Sequence, residues 1–153
     1  MSTDMTPNGS GPVLFAYDGS DLAGNAIAEA GGDLRAGRDA LVLTIWEPFE
    51  VGFLPVGGLS FDAAAADEVR TAAEKTAAYG ASLAEAAGFR AKSMAAEVSP
   101  TWKGIIDAAD QHDASLIVLG SHGRGGLTGL IVGSVAAAVA AHSRRSVLIV
   151  HRR

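Results

Sequence analysis

Apolar residues along this chain occur in two patterns. Short stretches that are apolar at almost every position alternate with longer ones in which small and apolar residues recur every three or four positions. Val13–Tyr17, Leu41–Trp46, Ser115–Leu119 and Ser146–Val150 belong to the first kind and predict strands covered on both faces. Ala91–Val98 is a weaker fifth strand. The second kind predicts four helices. Over Ala23–Leu34 the residues Ala23, Ala26, Ile27, Ala30 and Leu34 make one buried stripe, with Ser20 or Asp21 as cap and Gly37 closing the helix. Asp62–Ala87 reads as one long Ala-rich helix ended by Gly88, with Val69, Ala73, Thr76, Ala77, Leu83 and Ala84 inward. Trp102–His112 is a helix entered through Pro100 and Thr101, and Ser134–His142 is the last.

Strands and helices therefore alternate, and continuously apolar strands indicate a parallel sheet with helices on both faces. Such an α/β doubly wound domain binds ligands beyond the carboxyl ends of its strands, where the strand order reverses. The loops at Asp18 and Gly120 both leave such ends.

With 153 residues and 48% hydrophobic composition the chain has room for one domain, 12–153, preceded by a polar tail over 1–11 that is expected to be disordered. That tail lacks the basic start and apolar stretch of a signal peptide, and no apolar run reaches the length of a membrane span, so a cytoplasmic protein without membrane contact is expected. There are no cysteines, which excludes disulfides, thiolate nucleophiles and cysteine metal ligands. The net charge of −5 argues against a nucleic-acid partner. Charge is uneven, however: residues 1–100 hold 6 Lys/Arg against 14 Asp/Glu, and residues 101–153 hold 6 against 3. The last third is therefore able to host an anion.

That third also contains the densest glycine cluster. The strand ending at Leu119 runs into Gly120-Ser121-His122-Gly123-Arg124-Gly125-Gly126, and the loop continues to Gly133-Ser134 at a helix start. Glycines let backbone N–H groups approach an anion, and a helix N-terminus adds unpaired donors and partial positive charge. Three or four charge-assisted bonds, each contributing about 1.5 to 3 kcal/mol, support roughly micromolar phosphate binding without a lysine. The loop is neither a P-loop nor the GxGxxG fingerprint. By composition alone it is also compatible with a mobile connection.

The spacing Gly120, two residues, Gly123, nine residues, Gly133-Ser134 matches the G-2x-G-9x-G-(S/T) motif of the ATP-binding universal stress proteins. The chain resembles that family from about Val13 to Arg152, including Asp18-Gly19-Ser20 after the first strand and the ending Val147-Leu148-Ile149-Val150. The resemblance implies a five-stranded parallel sheet in the order 3-2-1-4-5, an adenine nucleotide (ATP) at the switch point between strands 1 and 4, and a homodimer. It places Ala16, Tyr17 and Asp18 at the adenosine, with the Asp18 carboxylate as acceptor, and the backbone of Ile45 at the adenine edge. It brings Leu119 and Gly120 to the ribose and Gly123 and Gly133 to the phosphates, with Ser134 adding a hydroxyl as well as its N–H and Val135 a second N–H.

Each position has a plainer alternative: Asp18 as a turn cap, Ile45 as core. Arg124 is open between phosphate contact and a solvated loop residue, His122 between phosphate and a partner, and no second ligand at metal spacing accompanies His122. Mg2+ or Mn2+ is expected only as it arrives with the nucleotide. No residue set supplies the base and cation clamp of a phosphotransferase, so the expectation is a sensor or switch with weak hydrolysis at most. A cyclic-nucleotide or AMP binder and a nucleotide-free interaction scaffold are the alternatives. The apolar Pro48–Ser60 stretch is a lid, a partner surface or core, and the last strand is the expected dimer edge. Protein partners are unknown.

Overall fold

A computed structural model describes residues 11–47, 63–123 and 132–152. Its elements run β1 (Val13–Ala16), α1 (Asp21–Asp33), β2 (Asp39–Trp46), α2 (Ala63–Ala86), β3 (Arg90–Glu97), α3 (Thr101–Gln111), β4 (Leu116–Gly120), α4 (Ser134–His142) and β5 (Ser146–Val150). The strands form one parallel sheet in the order β3-β2-β1-β4-β5. β1 is central, with Phe15 level with Val42 of β2 on one side and Val118 of β4 on the other.

Successive strand residues supply opposite faces, and both faces are apolar. Val13 and Phe15 pack with Ala26, Ile27 and Ala30 of α1 and Ala84 of α2, and the Phe15 ring meets Phe89 edge-on at 5.2 Å. Leu14 points the other way, to Ile105, Ala108 and Ala109 of α3 and Ala136 and Val139 of α4. Two layers of helix on one sheet account for the unbroken apolarity of the inner strands.

Most element ends follow from local chemistry. The Ser20 Oγ accepts from the Ala23 N–H at 3.2 Å and caps α1. The helix stops earlier than Gly37 would imply: Leu34 is its C-cap, its N–H reaching the Ala30 carbonyl at 2.8 Å. Gly37, at φ +82°, instead forms the turn into β2 and donates to the Gly88 carbonyl at 2.8 Å. The weak third strand pairs along its whole length with β2, from Asp39↔Arg90 to Trp46↔Glu97. Its polar residues are tolerated because it lies at the sheet edge.

Gly11 belongs to the folded part, its carbonyl accepting from the Ser115 Oγ at 2.8 Å. The remainder of the expected tail, the Pro48–Ser60 stretch and Arg124 lie outside the described residues. No helix among the described residues is long and apolar enough to cross a membrane.

Candidate functional site

From β1 the chain winds outward to β2 and β3 on one side and, later, to β4 and β5 on the other. The carboxyl ends of β1 and β4 therefore part at a switch point. A cavity of about 490 Å³ opens there. Ala16, Tyr17 and Asp18 line it from β1, Ile45 from β2, Leu119 and Gly120 from β4, Gly123 from the loop, and Gly133, Ser134 and Val135 from the start of α4. The ten positions named from the sequence thus share one cavity.

The end of the cavity nearest β2 is made of side chains. Tyr17 follows β1, and its N–H still bonds the Leu43 carbonyl at 2.9 Å. Its own carbonyl accepts from the buried Thr44 Oγ1 at 2.8 Å. Burial, then the nearby Tyr79, Asp18 and Asp21, raise the pKa of the Tyr17 hydroxyl, so the ring stays neutral. Asp18 divides its carboxylate: Oδ1 accepts from the Ser20 N–H at 2.9 Å, while Oδ2 lies against Gly123, where a Cβ would fall 2.7 Å from it. The turn role and a place on the cavity wall coexist.

The opposite end is made of backbone. The Ser121 N–H donates to the Val150 carbonyl at 2.9 Å, and the Ser121 carbonyl accepts from the Gly133 N–H at 2.6 Å, so strand end and helix start are tied together. A Cβ on Gly133 would sit 2.8 Å from that carbonyl oxygen. Gly133 is the N-cap of α4 and makes no side-chain capping bond, and its carbonyl takes the Ala137 N–H at 2.9 Å. The N–H groups of Ser134, Val135 and Ala136 precede that first intrahelical bond, and all three residues line the cavity. The helix dipole adds partial positive charge at the same point.

Several lining residues escaped the sequence reading. Val69, Ala72, Ala73 and Thr76 make a wall from α2, and Thr101 and Ile105 from α3. Nothing in their local pattern separates a cavity wall from a packed helix face. Ser121 is 2% exposed, and its Oγ lies 3.1 Å from the His122 Nδ1. Its position inside the glycine motif was the available signal. Glu47 holds the start of α3, its Oε1 accepting from the Thr101 N–H at 2.8 Å and the Thr101 Oγ1 at 2.9 Å.

Comparison with known proteins agrees with this architecture. The hypothetical protein MJ0577, in a structure that served for assigning its biochemical function, superposes with a TM-score of 0.78 at 21% identity, covering 94% of this chain and 97% of that one. A universal stress protein in complex with cAMP gives 0.63 at 24% identity over 94% and 98%. One from Archaeoglobus fulgidus in complex with dAMP gives 0.60 at 24% over 90% and 95%. Universal stress protein Rv2005c of Mycobacterium tuberculosis is 35% identical over 143 residues, which are 93% of this chain and 45% of that protein. The chain thus spans about half the length of the curated relatives it matches. The model of the universal stress protein family matches residues 10–151, and the chain belongs to that family.

Proposed function

We propose that this chain binds an adenine nucleotide, with ATP as the preferred ligand, and acts as a sensor or switch that hydrolyses it slowly at most. The observation that carries this reading is the convergence of two distant kinds of position on one cavity. Ala16, Tyr17, Asp18 and Ile45, at the ends of β1 and β2, share the cavity with Gly123 and Gly133 and with Ser134 and Val135 at the α4 start, whose N–H groups precede the first intrahelical bond. The first set suits a nucleoside and the second a phosphate chain. The family members solved with cAMP and dAMP support an adenine nucleotide.

Among the described lining residues the titratable groups are Tyr17, Asp18 and His122, and no lysine or arginine is present. They do not assemble a phosphoryl-transfer clamp. Asp18 is the one carboxylate among them, and no cluster of three His, Cys, Asp or Glu occurs among the described residues. Mg2+ or Mn2+ would be held chiefly by phosphate oxygens and enter with the nucleotide.

A cytoplasmic setting, where ATP is available, belongs to the reading, as does a homodimer formed along β5. That strand pairs with β4 on one side, and an apolar strand edge invites a second strand on the other. Because Leu148 also packs on the core cluster beneath α1, the oligomeric state of the unmutated protein is the clean test. Sedimentation should show a dimer at micromolar concentration, and a monomer there contradicts it.

Nucleotide binding is tested by thermal unfolding. At about 100 times its dissociation constant ATP adds roughly 2.7 kcal/mol, several degrees for a domain of this size. No shift with ATP, AMP or cAMP contradicts the reading.

A further inference from the structure

Two glycines inside helices lie directly behind side chains that form the β2 end of the cavity. Gly80 is buried in α2 and Gly104 in α3. Neither has a positive φ, so backbone conformation does not call for glycine at either position, and inside a helix glycine costs stability relative to alanine. What calls for it is space. A Cβ on Gly80 would lie 2.6 Å from Tyr17 Cδ1, 2.9 Å from Tyr17 Cγ and 2.7 Å from Val42 Cγ1. A Cβ on Gly104 would lie 2.9 Å from Ile45 Cδ1, 2.9 Å from Val98 Cβ and 3.2 Å from Val98 Cγ1. The glycines of α1 differ. Gly24 would have its nearest neighbour at 3.6 Å and Gly32 none within 4 Å, and Gly31 is crowded by Ala87, which does not line the cavity.

Both collisions fall on cavity residues. Tyr17 and Ile45 line the cavity, and so do residues of the two helices close to the glycines. Thr76, Ala73 and Val69 precede Gly80 by four, seven and eleven residues, a spacing that puts all four on one face of α2. Thr101 and Ile105 flank Gly104 on α3. The glycines therefore let α2 and α3 pack closely on Tyr17, Val42 and Ile45, and the depth of that packing fixes the separation of the cavity walls. With a methyl group at either position a close-packed core yields by displacing the ring or the isoleucine, or by lifting the helix and its lining residues. Each response reshapes the same end of the cavity. The junction of Gly133 with Ser121 is held by its own main-chain bond at the other end.

We propose that Gly80 and Gly104 are positioning residues that set the width of the β2 end of the cavity and so decide how well a nucleoside fits it. The inference rests on the nucleotide reading and adds to it two residues that lie outside the cavity lining.

The test is calorimetric titration of ATP and adenosine into the full chain, with thermal unfolding of each variant in parallel. Gly80→Ala and Gly104→Ala should each bind adenosine roughly tenfold more weakly, the scale on which overpacking is felt. ATP should weaken by the same factor, so that the ratio of the two constants keeps its wild-type value, unlike a lesion at the α4 end. Gly32→Ala, with open space at its Cβ, should bind both ligands as the wild type does. A double-mutant cycle separates positioning from mere stability: the loss caused by Gly104→Ala should be smaller in an Ile45→Val background, where Cδ1 is missing. Wild-type affinities in both alanine variants, whatever their melting temperatures, overturn the proposal, as does a Gly104→Ala loss of equal size in the two backgrounds. If Gly80→Ala does not fold, the Gly104 cycle decides alone. Failure of both alanine variants to fold marks the glycines as structural only and also overturns it. Absence of binding of either ligand to the wild type would instead fail the nucleotide reading itself.

Discussion

The two ends of the cavity are built by different means. At the β2 end, side chains make the wall: Tyr17 just beyond β1, Thr44 and Ile45 on β2, and Val69 and Ala73 on α2. At the α4 end, a main-chain bond joins Gly133 to Ser121, and the first residues of a helix, whose N–H groups precede its first intrahelical bond, line the cavity. The first construction recognises shape and tolerates small changes in volume. The second leaves little room for any side chain. On the proposed reading, a substitution at the α4 end should therefore discriminate between ligands, while one at the other end should affect all of them.

The largest effect should come from Gly133→Val. Its Cβ would fall 2.8 Å from the Ser121 carbonyl oxygen, so the loop and the helix start must separate. Loss of two or more charge-assisted bonds, each about 1.5 to 3 kcal/mol, should weaken ATP roughly a hundredfold or more and adenosine only a few-fold. Gly123→Val breaks the division, because its Cβ would lie 2.7 Å from the Asp18 Oδ2 and so reaches both ends. Calorimetry with the two ligands should show both weakened.

Asp18→Ala should come next, with about a tenfold loss for ATP and adenosine alike, since one charged acceptor and the turn bond to the Ser20 N–H both go. Asp18→Asn keeps the shape and the turn acceptor and should lose less. Ser134→Ala should affect only ATP, by about threefold, because the hydroxyl goes and the N–H remains. Equal losses for ATP and adenosine in this variant would erase the distinction between the two ends.

The smallest effect concerns stability at high pH. The Tyr17 hydroxyl has a raised pKa, chiefly through burial. Its contribution is therefore fully present below the ordinary tyrosine value of about 10 and is lost as pH rises through the higher folded value. Denaturant unfolding of Tyr17→Phe should show a shallower fall in stability above about pH 10 than the wild type. Parallel curves would mean that Tyr17 ionises as readily in the fold as outside it.

Much of the fold was legible because the central strands are apolar at every position, a pattern that only a sheet covered on both sides accommodates. The bounds of α4 and β5 were read correctly from small and apolar runs flanked by Gly133 and Arg145. The strand order came from the family resemblance. What stayed hidden was long-range. Glu47 holds the start of α3 from the end of β2, and no local signal marks a cap so far away in sequence. The early stop of α1 turned on Leu34 bonding Ala30 and on Gly37 joining Gly88, a contact between distant turns.

The candidate site was legible in the same uneven way. The glycines and Ser134 announced the α4 end, since a motif of fixed spacing requires backbone room. The α2 wall did not announce itself, because Val69, Ala72, Ala73 and Thr76 would look the same beneath a sheet or beside a cavity. Ser121, buried and polar, sat within the motif unremarked, though its two main-chain bonds hold the α4 end of the cavity together.

Titration of ATP and adenosine into the wild type and Gly133→Val in one calorimetric series tests the central claim most directly. ATP should bind the wild type at one per chain with a roughly micromolar dissociation constant, as a few charge-assisted backbone bonds allow, and Gly133→Val should lose ATP while retaining most of its affinity for adenosine. ATP binding to Gly133→Val as tightly as to the wild type would contradict the assignment of the glycine loop and the α4 start to the phosphates.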